Sequence, residues 1–258
     1  PAFLRIYLPM SLPGLSAGIR RVLGGAGWRR PADPADHKAA GGFDTVDETA
    51  VLDATADLQG RGWGDRCQDE PLAATWETAR KADGNPAVVV NAHGNPTDVL
   101  LLAAVPFEVL DGATATARAV GADSIIVYAS TADQRAVETV QEAVANYPDP
   151  AAAIDVVTGP AEYRAGEPTM ALEAIEGNHR LEARIRPPGP ESVGLHGQPT
   201  LVHTPRTLAH LAVGLREGEA TDTRIVTVEG DVAAPVTVEL AASETLSSSV
   251  DAVAVDGE

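Results

Sequence analysis

Short apolar runs alternate with amphipathic segments through the middle of this chain. Three runs of strand length are bounded by turn residues, which is typical of strands buried on both faces of a parallel sheet. These strands are predicted at residues 87–91, 124–129 and 153–157. Helical spacing of apolar residues predicts helices at residues 44–58, 71–82, 99–119 (broken near Pro106), 133–146, 166–177 and 207–215. The alternation predicts an α/β fold, with a Rossmann-like parallel sheet flanked by helices.

The two ends of the chain have different patterns. Residues 1–42 carry many Gly, Pro and Arg residues in their second half, which predicts an irregular leader or linker. Near the other end polar and apolar residues alternate, which predicts a β-hairpin over residues 225–240. We therefore expect an α/β domain over residues 43–218 and a small module over residues 222–258.

The charge and cysteine content exclude several classes of function. Asp and Glu number 37 against 19 Lys and Arg, a formal net charge of −18, so no nucleic acid is expected as a partner. This acid-rich, lysine-poor composition resembles that of proteins from salt-loving microbes, an ordinary acidic protein being the alternative. Cys67 is the only cysteine, which excludes a four-thiolate iron–sulfur cluster or zinc site within this chain.

Hydropathy gives no sign of a membrane segment. No apolar run approaches the ~20 residues that a helix needs to cross a bilayer. The first residues also lack the pattern of a signal peptide. We therefore expect no direct membrane insertion and a cytoplasmic location.

A glycine-rich turn and a strand end are the first candidate binding elements. The turn, Gly60-Arg-Gly-Trp-Gly64, has three glycines in five residues, and glycines let backbone amides approach a phosphate or a ring closely. Asn91 ends the first predicted strand, and ligands bind at the carboxyl ends of parallel strands. Alone, the turn is a weak signal, because Gly62 also suits an ordinary turn.

A longer series of motifs lies between residues 162 and 209. It consists of Tyr163-Arg-Ala-Gly-Glu167, Arg186-Pro-Pro188, Gly194-Leu-His-Gly-Gln-Pro-Thr200 and Val202-His-Thr-Pro-Arg-Thr-Leu-Ala209. With the glycine turn and the strand end, these motifs resemble, in order and spacing, the family of flavoprotein subunits of respiratory NADH dehydrogenase. The resemblance extends over about residues 44–245. It identifies the hairpin as the start of that family's ubiquitin-like module, a β-grasp fold termed SLBB.

The resemblance implies that FMN and NADH bind at the carboxyl edge of the sheet and that hydride passes from NADH to FMN. Electrons would then pass to an iron–sulfur partner or another subunit of a redox complex, through which the chain lies peripheral to the inner face of a membrane. The matching cofactor-binding positions are Gly60, Arg61, Gly62, Gly64, Asn91, Tyr163, Gly166, Glu167, Val202 and Thr207. No catalytic side chain and no metal site are assigned, because the flavin supplies the chemistry. The chain ends before the family's iron–sulfur region, which we interpret as a truncation, a partial chain or a shortened relative.

Several positions depart from the family's pattern. His93-Gly94 and His203-Thr204 replace an acidic pair and an Asn pair, and Pro168 replaces a second Glu. Gly189 stands where the family has a Phe beside the NADH adenine, and the family's flavin-loop Lys aligns near Thr75. Loss of a phosphate-pairing cation and of an aromatic platform each costs on the order of 1 to 3 kcal/mol of binding.

These departures leave alternatives open. One is a degenerate, non-catalytic paralogue that serves as a binding or scaffold subunit of a redox complex. Another is a site for a different nucleotide or anion, since Arg61, Arg184 and Arg186 stay basic. His93 and His203 allow a metal pair or a general base, the alternative being hydrogen-bonded loop histidines.

Overall fold

A parallel sheet of four strands forms the centre of the computed structural model, which describes residues 21–25, 32–218, 222–228 and 236–243. The strands are β1 (Ala87–Asn91), β2 (Ser124–Ser130), β3 (Ala153–Gly159) and β4 (Thr200–His203). Their order across the sheet is β3-β2-β1-β4, so the direction of winding reverses between β1 and β4. Ligands of open α/β sheets bind outside the carboxyl ends of the strands at such a reversal.

Helices cover both faces of this sheet. Within the described residues they are α1 (Pro34–Ala39), α2 (Glu48–Ala54), α3 (Leu72–Lys81), α4 (Pro96–Ala104), α5 (Pro106–Val120), α6 (Gln134–Ala145), α7 (Pro168–Ile175) and α8 (Pro205–Glu217). Successive residues of a strand point to opposite faces. Val88 and Val90 accordingly lie in the large core that includes α5 and α8. Val89 lies in a smaller core with Leu172 of α7.

The two apolar helices α4 and α5 are separated by a sharp break. Pro106 is the first residue of α5, and proline has no amide hydrogen with which to continue the preceding helix. The two helices are bent by 99° at this break. Among the residues that the structure describes, no single helix is long and apolar enough to cross a membrane, and only this bent pair has that length and apolarity together.

The structure confirms the predicted α/β fold, including the bounds of β1 and the break near Pro106. Strand β4 was not predicted, because it has only four residues and ends in a polar one, His203. The prediction that residues 1–42 are irregular is wrong for Pro34–Ala39, which form α1. Residues 1–20 and 26–31 lie outside the described residues.

Helix α1 packs against the core rather than linking to it. Asp33 caps the helix by accepting a hydrogen bond from the Asp36 amide at 2.8 Å. His37 is fully buried, its ring 5.6 Å from that of Phe107 and its Nε2 2.8 Å from Asp111 Oδ2. The predicted domain boundary after residue 42 therefore divides a packed cluster.

The predicted β-hairpin is present as β5 (Thr223–Val228) and β6 (Val236–Ala241), which pair antiparallel. Ile225 is buried in the main core. The carbonyl of Thr223 accepts a hydrogen bond from Arg61 Nη1 at 2.7 Å. The hairpin agrees with the start of a β-grasp module, and its assignment to a separate domain stays a prediction.

Substitution of Gly112 tests the contact between α5 and α8. A Cβ at this position would lie 2.0 Å from the carbonyl oxygen of Leu208. Alanine normally favours a helix interior by ~1 kcal/mol, yet Gly112→Ala should lower the free energy of unfolding by about 2 to 3 kcal/mol because the backbones must separate. Urea unfolding measures this change, and Ala115→Gly in the same helix is the control for propensity alone. A stabilised Gly112→Ala chain would contradict the close approach.

Candidate functional site at the carboxyl ends of β1 and β4

One buried amide connects three of the elements that the sequence singled out. Asn91 is the last residue of β1 and is 1% exposed. Its Nδ2 donates to the carbonyls of Gly64 and Gly166, each at 2.9 Å. The glycine turn, the end of β1 and the segment before α7 therefore meet at one point of the sheet edge. Asn91 was predicted to contact a flavin, and in the structure both of its amide hydrogens position the protein's own loops.

The glycine turn approaches its neighbours as closely as its sequence suggested. Gly62 has φ +89°, a left-handed conformation that favours glycine. A Cβ on Gly64 would lie 2.9 Å from Asn91 Nδ2. The amide of Arg61 donates to Thr207 Oγ1 at 2.8 Å, which joins the turn to the first turn of α8.

An aromatic pair lies beside this junction. The rings of Trp63 and Tyr163 are stacked, with centroids 4.4 Å apart and planes 13° from parallel. Trp63 is half-buried, and Tyr163 is 67% exposed. A Cβ on Gly166 would lie 3.0 Å from the Trp63 ring, so the indole rests directly on the glycine backbone. The structure thus places Tyr163, Gly166 and Gly64 around one flat ring.

The carboxylate of Asp65 is the second centre of the site. It is buried and accepts hydrogen bonds from the Cys67 amide (2.8 Å), the Thr204 amide (3.1 Å) and the Thr207 hydroxyl (2.6 Å). His203 Nδ1 lies 3.1 Å from its Oδ1. Thr204 is the N-cap of α8, where the helix dipole favours an anion.

Hydrogen bonds settle the protonation of this cluster. Burial alone would raise the pKa of Asp65, but attraction to His203 and hydrogen bonds from His203, Thr207 and Cys67 hold the pKa below its ordinary value. Trp76 Nε1 donates to His203 Nε2 at 2.9 Å. Because Nε2 accepts, Nδ1 carries the proton and donates to Asp65.

The same cluster has the composition of a metal site. The ligand atoms of Asp65, Cys67 and His203 lie within 4.8 Å of one another. Both nitrogens of His203, however, already have hydrogen-bond partners, Trp76 and Asp65. The cluster is therefore satisfied without an ion, and the expectation that the chain has no metal site stays a prediction.

The predicted residues near α7 have structural partners. Glu167 caps α7 by accepting from the amides of Thr169 (2.8 Å) and Met170 (2.9 Å). Its other oxygen pairs with Arg186 at 3.1 Å. His93 is buried, stacked on Tyr128 with ring centroids 5.2 Å apart. Burial lowers the pKa of His93, which favours the neutral ring.

The structure thus gathers the predicted positions around two centres. Gly64, Tyr163, Gly166 and Glu167 lie near the Asn91 side chain, whereas Gly60, Arg61, Gly62, Val202 and Thr207 lie near Asp65. Sequence reasoning missed Asp65, Trp76 and Thr204. The one available signal was Asp65 itself, an acidic residue directly after a turn that was expected to approach a phosphate.

The Asp65 network makes a prediction for stability and its pH dependence. Asp65→Asn should lower the free energy of unfolding at neutral pH by about 2 to 4 kcal/mol, since buried donors lose a charged acceptor. The folded pKa of Asp65 lies below the ordinary 3.8, so its contribution is complete above pH 3.8 and is lost as the pH falls through the folded value. Denaturant unfolding of both chains should therefore show a difference that shrinks in acid; a constant difference would contradict the network.

The thiol of Cys67 should be inert in the folded chain. Burial, together with the charge of Asp65, raises the pKa of Cys67 to about 12, and a protonated thiol is a poor nucleophile. A disulfide reagent at pH 8 should leave the native chain unlabelled and label it fully after unfolding in urea, which is the control. Rapid labelling of the native chain would show that this region opens.

Comparisons with known proteins agree with the site's position in the fold. The NADH-quinone oxidoreductase F subunit numbered 2 from Rhizobium meliloti (strain 1021) is 29% identical over 189 residues, covering 67% of this chain and 44% of that protein. The corresponding F subunit of Rhodobacter capsulatus is 28% identical over 214 residues, covering 72% and 48%. The chain therefore spans less than half the length of these relatives.

A solved structure and a family model lead to the same family. The crystal structure of an NAD+-reducing NiFe-hydrogenase in the air-oxidized state matches with a TM-score of 0.72 and 27% identity, covering 82% of this chain and 40% of that chain. The model of the Nuo51 FMN-binding domain matches residues 56–213, more than half of the chain. The chain belongs to the Nuo51 FMN-binding domain family.

Proposed function

We propose that this chain is an NADH dehydrogenase flavoprotein-like subunit that binds FMN and NADH at the carboxyl ends of β1 and β4. The observation that carries the proposal is the double hydrogen bond of Asn91, which brings the glycine turn and Gly166 together at the reversal of the sheet. That edge is where α/β sheets of this order bind nucleotide cofactors. Membership of the family supports the identity of the cofactor.

The residues at this edge fit a flavin ring. A planar aromatic group, the Trp63 indole, already lies there against the Gly166 backbone and the Tyr163 ring, so the edge has room for a flat ring. In the bound state, Gly64, Gly166 and Val202 would offer backbone groups, and Tyr163 would line the nicotinamide side. FMN, when bound, supplies hydride acceptance from NADH and release of single electrons.

Positive charge for a phosphate group lies on the other side of the glycine turn. A cavity of about 330 Å³ is lined there by Gly60, Arg61, Gly62, Asp57, Gln59, Asp69, Arg206, His210, Arg224, Ile225 and Val226. Three of these are arginines, and guanidinium groups pair well with phosphate oxygens. Arg206 is itself held by Asp98, with its Nε and Nη2 at 2.9 and 2.8 Å from the carboxylate. The arginines would supply charge in place of the family's lysine, whose position aligns near Thr75.

The partner follows from the proposed chemistry. Electrons from the flavin need an acceptor, and the single cysteine excludes a four-thiolate cluster within this chain. We therefore propose an iron–sulfur protein or another subunit of a redox complex as partner, with the chain peripheral to the inner face of the membrane through it.

Reconstitution with FMN tests the proposal. The purified chain incubated with excess FMN and desalted should retain flavin absorbance, and addition of NADH without oxygen should bleach it. A folded chain that stays colourless would contradict the proposal and leave the scaffold alternative. A thermal shift caused by a different nucleotide, with none from FMN, would favour the anion-site alternative.

Tyr163 should matter for NADH more than for FMN. Tyr163→Ala should raise the NADH concentration for half-maximal bleaching about tenfold, since an aromatic contact contributes ~1 kcal/mol or more. Titration of the reconstituted chain measures this. Ile185→Ala, at a side chain that is 89% exposed, is the matched control for loss of a surface apolar group and should leave the titration unchanged. Equal titrations for both variants would remove Tyr163 from the site.

A further inference from the structure

Trp63 lies where the proposed function requires another ring. Its indole stacks on Tyr163 at 4.4 Å and lies against Gly166, within the group of residues assigned to the cofactor. Stacking at 13° from parallel is the geometry that two aromatic rings favour when offset. An isoalloxazine ring and this indole cannot lie on the same part of the Gly166 backbone at once.

The chain holds Trp63 in place from both sides. On one side, the carbonyl of Gly64 accepts a hydrogen bond from Asn91 Nδ2. Beyond it, the Asp65 amide donates to the Gly62 carbonyl at 3.0 Å, and the Asp65 carboxylate is fixed by its four donors at β4 and α8 and in the turn itself. The backbone on both sides of the indole is therefore fixed, and only rotation of the side chain or release of the loop frees the Gly166 backbone.

We propose that Trp63 is a built-in competitor of the flavin ring, and that Asp65 is the positioning residue that keeps it at Gly166. This inference rests on the proposed function, because it concerns the same site. Binding of a planar ring displaces the indole from Tyr163. The apparent dissociation constant is therefore the intrinsic one divided by the fraction of chains with the indole displaced.

The proposal makes a specific statement about ligand chemistry. Only the ring part of the cofactor competes with Trp63, so riboflavin and FMN should be affected by the same factor. Inorganic phosphate, which has no ring, should be unaffected. A loop that merely loosens the whole site would change all three.

Removal of the indole is the experiment. Trp63 is half-buried and lies at the surface turn, so Trp63→Ala should fold. It should lower the dissociation constants of both FMN and riboflavin by at least about tenfold. Trp63→Phe keeps a stacking ring and is the matched control, with a change of less than about threefold. Quenching of flavin fluorescence measures the binding of both ligands, and a thermal shift measures that of phosphate.

Two results would overturn the proposal. Unchanged flavin affinity in Trp63→Ala would show that the indole does not exclude the ring, and weaker affinity would show that it contacts the bound ring instead. If the wild-type chain still takes up FMN and is bleached by NADH, only the competition fails. If Trp63→Ala alone binds FMN, the competition stands and the flavin function of the wild-type chain fails.

Discussion

The need to satisfy one buried carboxylate organises the site. Asp65 sits out of contact with water, where an unpaired charge would be far too costly. Its donors come from the turn itself, from the end of β4 and from the start of α8, which are distant in sequence. Because all must converge on the same two oxygen atoms, the turn has little freedom to shift. The positions of Arg61 and Trp63 follow from that constraint.

The other charges of this acidic chain explain why positive potential is scarce near the sheet edge. Arginines that reach the interior are largely neutralised by carboxylates: Arg206 with Asp98, Arg216 with Glu108, Arg184 with Glu173, and Arg66 with Glu191. Such pairs are stable because each buried charge finds its partner at short range. An incoming anion must therefore share guanidinium groups that the protein already uses.

Much of the fold was predictable because its central strands are buried on both faces. Val88, Val89 and Val90 alternate between two cores, so every position is apolar and the run is conspicuous. Strand β4 and helix α1 are short and depend on neighbours far along the chain, and no local pattern indicates them.

The site was predictable in position but not in its contacts. Glycines and Asn91 indicated the correct edge of the sheet, because close approach and strand ends have local signatures. The partners of Asp65 at Thr204 and Thr207 lie about 140 residues later, and hydrogen bonds over such separations leave no trace in a single sequence. The stack of Trp63 on Tyr163 is of the same kind.

The placement of β4 beside β1 has a kinetic consequence. Ala87 pairs with Thr200, about 110 residues further along the chain, and closing so long a loop is entropically expensive early in folding. The pairs β1–β2 and β2–β3 span much shorter separations. On the ribosome, a three-stranded intermediate should therefore form first, with an exposed edge at β1 until the fourth strand emerges and completes the cofactor edge.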